Sequence, residues 1–315
     1  MTIGVSGGVS GGVLAAPTGR YAAVPGLLRE VGDLKRVRTA DADGSMASRA
    51  FTRVWAALVD GADPIAVADA ETAAAVAGAR LAGIDADVLV AMGLGTDEAR
   101  AVRRRAIDEV ADGVLHPATL ARLHAAPPPA PGTTPPPGFV AALCRQPRAG
   151  ATAPGRARLI TEPPEDHGEH CWAVAVYGAL LAEDHGADRG EAFLLGLAHH
   201  LHTAVMPDAG FAGEMLLGEH LDTVVERLTE RELATLPGPL ADRVRGLLAA
   251  RADADTPLGA TFHAADVLDR VLQVHHHARA AAFTAREALV DLELVHASPV
   301  QEHQNAVLAA AGLLP

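Results

Sequence analysis

Residues 193–208 read FLLGLAHHLHTAVMPD. An uninterrupted apolar run, Phe193 to Ala198, leads straight into His199 and His200, with His202 one residue further on. The run is bracketed by alanine- and leucine-rich sequence rather than by β-branched alternation, so it reads as a buried helix. A core helix gains nothing by ending in three imidazoles, since each buried ring needs partners for two nitrogens. The helical reading sets the fold class, all-α, and the histidines set the question of what they bind.

Composition agrees with the helical reading. The chain has 315 residues, 49% of them hydrophobic but only 3% aromatic, so its apolar content is mainly the alanine, leucine and valine of packed helices. Lys35 is the sole lysine, and arginine carries almost all the positive charge. A formal net charge of −13 argues against a broad nucleic-acid surface, which needs clustered basic residues to displace counterions. It leaves room for a small anionic substrate where a metal and arginines reverse the local field. Two cysteines, Cys144 and Cys171, are too few for a disulfide framework, so a reducing cytoplasm is expected. No run of about 20 apolar residues is present to span a membrane. The glycine-rich start, residues 1–18, lacks the Lys-Ser/Thr of a phosphate-binding loop and reads as a flexible tail.

The chain divides at residues 126–138, APPPAPGTTPPPG, which read as a proline-rich linker with no means of packing. Before it, residues 19–125 carry helical patterns, as in Asp97–Val114. After it, residues 139–315 hold further helices and most of the histidines. Of the fifteen histidines only His116 and His124 precede residue 160, so the chemistry is expected in the second half. There, residues 170–183 form one helix, preceded by an acidic turn and ended at Gly186. Arg189–His200 forms the next, followed by helices over 214–232, 240–251 and 261–282.

Three motifs on these helices, GEHCWAVAVYGALLA (168–182), AFLLGLAHHLHTAVMPD (192–208) and HAADVLDRVL (263–272), resemble those of the HD-domain metal-dependent phosphohydrolases. The nearest branch is the one containing bacterial 5′-deoxynucleotidases, and the resemblance spans roughly residues 156–296. It implies an HD-like helical bundle after the linker, with an additional N-terminal helical domain before it. It also implies metal ligands at His170, His199 and Asp266, and Asp208 as an acid near the metal that protonates a leaving alkoxide. Position 200 departs from the pattern, with His200 where the family has Asp. If His200 ligates, the site holds three histidines and one carboxylate, which suits one divalent transition metal such as Zn, Ni, Co, Mn or Fe. The acidic residue that the branch places a few positions after the pair is replaced by Thr203.

The implied reaction is hydrolysis of a nucleotide or similar small phosphate ester. Arg158 or Arg270 would hold the phosphate, each against the plain alternative of a surface ion pair. His167 competes less well than His170 as a ligand, and consecutive His275–His277 cannot converge on one ion because neighbours on a helix point about 100° apart. In the N-terminal half, residues 28–61 resemble the opening segment of the same branch, with Ala47-Ser48 where a Glu-His pair would stand. The half therefore reads as a degenerate, metal-free copy or as an unrelated helical domain. Two other functions stay open: a catalytically silent helical signalling or scaffold protein, and an HD-type di-iron oxygenase. A homodimer is compatible with all of these.

Overall fold

The computed structural model describes residues 23–280 and 301–310, together with the single positions Arg286 and Val290. The expected tail, residues 1–18, lies outside them. The fold is all-α. Among the described residues there is no strand, and extended pairing is limited to isolated bridges such as Pro147 with Asp166. No described helix is long and apolar enough to cross a membrane.

Six helices precede the proline-rich segment: α1 (Val24–Gly32), α2 (Met46–Val59), α3 (Pro64–Leu81), α4 (Ala86–Ala91), α5 (Thr96–Ala111) and α6 (Pro117–Ala125). After it come α7 (Gly138–Leu143), α8 (His167–His185), α9 (Arg189–Ala198), α10 (Gly210–Glu214), α11 (Leu221–Leu233), α12 (Gly238–Ala250), α13 (Pro257–Arg279) and α14 (Gln301–Ala310). Single 3-10 turns follow α1 and α9, at Asp33–Lys35 and Leu201–Ala204.

Helix α8 is the axis of the molecule. It is buried on every side from His167 to Ala182, as expected of a helix without a polar face. Helices α9 and α13 pack against it, as do α2 and α3. It begins three residues earlier than the sequence pattern indicates, because Asp166 caps it. The Asp166 carboxylate accepts from the Glu169 N–H at 2.8 Å, and the Glu169 carboxylate accepts from the Asp166 N–H at 3.0 Å. Gly186, in the left-handed region at φ 70°, ends it as expected.

The α8–α9 contact is closer than side chains allow, and a glycine makes it so. A Cβ at Gly196 would lie 2.5 Å from both the N and the Cα of Ala175. This approach brings the C-terminus of α9, with its histidines, against the first turns of α8.

The proline-rich segment departs from expectation. It is packed: a Cβ on Gly132 would lie 2.4 Å from the Ala56 carbonyl carbon. The Asp60 carboxylate at the end of α2 accepts from the Thr133 hydroxyl at 2.9 Å and from the Thr134 N–H at 3.0 Å. Proline lacks a backbone donor, so the segment forms no secondary structure; the threonine and glycine between the prolines anchor it instead. The buried core is continuous across it, running from Val24, Phe51 and Trp55 through Phe139 to Trp172, Phe193 and Phe262. Ion pairs join the two sequence halves as well, Arg189 of α9 binding Asp69 of α3 at 2.7 and 2.9 Å.

Gly196→Ala is expected to cost about 1–3 kcal/mol of stability through overpacking. Gly246→Ala, on an exposed turn of α12 with nothing within 4 Å of the new methyl, should be neutral or stabilising by about 0.5–1 kcal/mol. Urea unfolding of the two variants side by side checks both values.

Candidate metal centre

Three helix positions converge although they lie far apart in sequence. His170 projects from the first turn of α8, His199 stands at the C-cap of α9, and Asp266 lies in the middle of α13. The Nε2 atoms of His170 and His199 are 3.1 Å apart, and His170 Nε2 is 3.4 Å from Asp266 Oδ1. Both rings are buried, at 0% and 4% exposure.

The outward partners of these rings decide what the inward atoms are. His170 Nδ1 donates to Asp269 Oδ2 at 2.7 Å, and His199 Nδ1 donates to the Gly196 carbonyl at 2.7 Å. Each proton is therefore committed to Nδ1, and each Nε2 presents a lone pair. The two lone pairs face each other in a buried space, with a carboxylate oxygen beside His170, which is unfavourable unless a cation lies near them. Donors of this kind, each oriented by a carboxylate or carbonyl behind it, fit a divalent transition metal. His200 belongs to the same group, with a ring nitrogen within 4.8 Å of those of His170 and His199.

A second acidic group, Glu165, His170 and Asp269, also lies close enough to hold an ion. It already holds one: the ammonium of Lys35 is hydrogen-bonded to both carboxylates. Burial alone would lower the Lys35 pKa, but the charges of Asp269 and Glu165 outweigh it and raise it. Burial likewise opposes ionisation of Asp269, yet Lys35 and His170 hold it down at about 2. Asp269 is thus an anion fixed between Lys35 and His170.

His200 faces Arg148. Its Nε2 lies 3.3 Å from Arg148 Nη1, and its Nδ1 is buried without a partner. Burial, then the neighbouring imidazoles and Arg148, depress its pKa well below the ordinary value, so it is neutral. The His167 ring packs edge-on against it, centroids 4.7 Å apart, and His167 Nε2 is 3.2 Å from Asp208 Oδ2.

The remaining expected residues are placed as follows. Asp208 accepts from the backbone N–H groups of Ala149 at 2.9 Å and Gly210 at 2.8 Å. Partial burial opposes its ionisation, but His167 and these two donors override it and hold its pKa well below the carboxylate range. These partners hold Asp208 as the carboxylate in the metal-free protein. The Arg158 guanidinium donates to the carbonyls of Ala149 at 3.3 Å and Ala209 at 3.0 Å, tying two loops together. Arg270 pairs with Asp266 at 3.1 Å and remains 54% exposed.

Four residues of the centre escape sequence reasoning. Asp269 had a usable signal, standing one turn after Asp266 on the same helix. Lys35, Arg148 and Arg251, which donates to the His199 carbonyl at 3.0 Å, carry none, because each reaches the site from a distant segment.

A family model described as HD domain matches residues 140–306, just over half of the chain. No curated protein and no solved structure matches.

Two outcomes are expected. Asp269→Asn, which weakens the support of His170, should lower Zn²⁺ or Mn²⁺ affinity roughly 10–100-fold, measured by competition with a chromophoric chelator. His202 is buried and its pKa is lowered to about 4, first by desolvation and then by Arg251. The unfolded chain therefore binds a proton that the folded chain refuses between about pH 6.5 and 4. Stability of the metal-free protein should fall as pH drops through that window. His202→Gln should flatten the slope near pH 5 by up to about 1.4 kcal/mol per pH unit.

Proposed function

The chain belongs to the HD-domain family, and from that premise we propose that it is a metal-dependent phosphohydrolase acting on a nucleotide or similar small phosphate ester. The observation that carries the reading is the cluster of His170, His199 and His200, whose ring nitrogens lie within 4.8 Å of one another, with the Asp266 carboxylate 3.4 Å from His170 Nε2. His170, His199, His200 and Asp266 would hold the metal. When bound, it polarises a phosphoryl oxygen and makes hydroxide available at neutral pH.

The residues of the chain do the rest. With Nδ1 of His200 as the ligand, its proton sits on Nε2, facing Arg148 Nη1 at 3.3 Å. Two donors facing each other call for an acceptor, and a phosphate oxygen supplies one. Replacement of the family's Asp by His200 thus leaves the centre more positive and better suited to a dianionic ester. Arg270, exposed and paired with Asp266 at 3.1 Å, would hold a second phosphate oxygen. Asp208 acts as an anchor that fixes the loop carrying Ala149 and orients His167; it does not move a proton. Without a carboxylic acid for the departing oxygen, esters of good leaving groups are favoured.

Metal-loaded protein should release phosphate from an aryl phosphate and, more slowly, from a nucleoside monophosphate. Asp266→Asn should reduce both rates by at least about 100-fold, beyond the effect of losing a supporting partner. Asp208→Asn should slow both substrates by the same factor. A larger effect on the nucleotide would restore Asp208 as the acid. Absence of hydrolysis by fully metallated protein would favour the catalytically silent reading.

A further inference from the structure

Large apolar side chains exposed one at a time are ordinary on a protein surface. Beside the histidine cluster they stand together. Leu159 and Ile160 end the loop that runs from Ala149, while Phe211 lies on α10 and Met215 and Leu216 on the 3-10 turn Met215–His220 that follows it. Their exposures run from 54% at Leu159 to 88% at Leu216. The two segments are tied to one another. The Ala212 N–H donates to the Thr152 hydroxyl at 3.2 Å, and the Arg158 guanidinium to the Ala209 carbonyl at 3.0 Å. Leu159 is paired in turn with Ala151, the neighbour of Thr152. A Cβ on Gly210 would lie 2.5 Å from the Thr152 hydroxyl, so the approach uses the missing side chain. The two exposed apolar groups are thus held side by side.

Charge on this face is one-sided. Across residues 149–160 and 205–217 the charged residues that stand exposed are Arg156 and Arg158, and neither pairs with a carboxylate among the described residues. The two acids of these segments, Asp208 and Glu214, are partly buried, and Asp208 is engaged by two backbone N–H groups. The nearest exposed acids along the chain, Glu162 and Glu219, lie outside both segments. A second copy of the same face would set four arginines together with no exposed acid of the face to meet them. Protruding Leu, Ile, Met and Phe side chains beside unpaired arginines suit an anionic lipid interface instead, where apolar tips enter the acyl boundary and guanidinium groups meet phosphates. The chain's net charge of −13 does not forbid this, because charges further away than about 10 Å are screened at roughly 0.1 M salt.

We propose that the face formed by residues 149–160 and 205–217 docks the protein on an anionic lipid surface. Ile160, Phe211, Met215 and Leu216 enter the interface, and Arg156 and Arg158 meet the headgroup phosphates. Asp208, on the same segments, lies 3.2 Å from His167 of the histidine cluster, so docking brings the candidate metal centre next to the headgroups. The docking itself does not depend on the hydrolytic reading.

The test is co-sedimentation of the full chain with vesicles of phosphatidylcholine alone, or of phosphatidylcholine mixed with an equal part of phosphatidylglycerol, at about 0.1 M salt. The mixed vesicles should bind at least about tenfold more tightly than the neutral ones. Phe211→Ser combined with Leu216→Ser should weaken that binding at least about tenfold, and Arg156→Gln by about fivefold. Val274→Ser, which removes an equally apolar side chain, 47% exposed on α13 and outside the face, should leave it unchanged. All four positions are exposed, and thermal unfolding checks that each variant is folded. Equal binding to the two kinds of vesicle, unchanged binding by the Phe211/Leu216 variant, or an equal loss in Val274→Ser would overturn the proposal. Binding to neither kind of vesicle would also overturn it and leave a protein partner as the occupant of the face.

Discussion

One buried ammonium group underlies the geometry of the candidate metal centre. Lys35, 4% exposed, is held between Glu165 and Asp269, and Asp269 in turn holds the Nδ1 proton of His170. Two carboxylates buried without a counter-charge would be strongly destabilising, and breaking such a network costs about 3–5 kcal/mol. The sole lysine of the chain therefore fixes the tautomer of His170, far away in the sequence, making the segment after α1 part of the site. It also explains why one of the two acidic groups around His170 is not a metal site: its cation is covalently part of the protein.

The same logic of outward partners reaches His199. The carbonyl that orients it belongs to Gly196, the residue whose missing side chain allows α9 to approach α8. Close packing and ligand orientation thus come from one position. A larger residue there would shift both the helix and the acceptor for His199, so the interior of the fold and the chemistry of the centre cannot be varied separately.

The loops on the other side of the centre are organised around Asp208. Its two oxygens collect backbone donors from both the 149 and 210 loops, and Arg158 spans the same pair of loops from outside. Two charges that the sequence marks as candidates for substrate also hold chain segments in place. Next to the centre, Arg148 lies beside His200 and Arg270 beside Asp266, 54% exposed.

The all-α class, the helices around the centre to within a few residues, and the candidacy of His170, His199, His200 and Asp266 were legible in the sequence. Helical periodicity and capping are local, and a histidine pair closing an apolar helix is a conspicuous local departure from what a core requires. What the proline-rich segment does was not legible, because its packing depends on Asp60 and Ala56, residues distant in the chain. The hydrogen-bond partners of Asp208, Arg158 and Lys35 were not legible either. A carboxylate, guanidinium or ammonium has the same local sequence signature whether it meets substrate, a backbone amide or another buried charge. Only the tertiary structure brings the competing donors and acceptors within hydrogen-bond reach, and that competition decides which charge is left for chemistry.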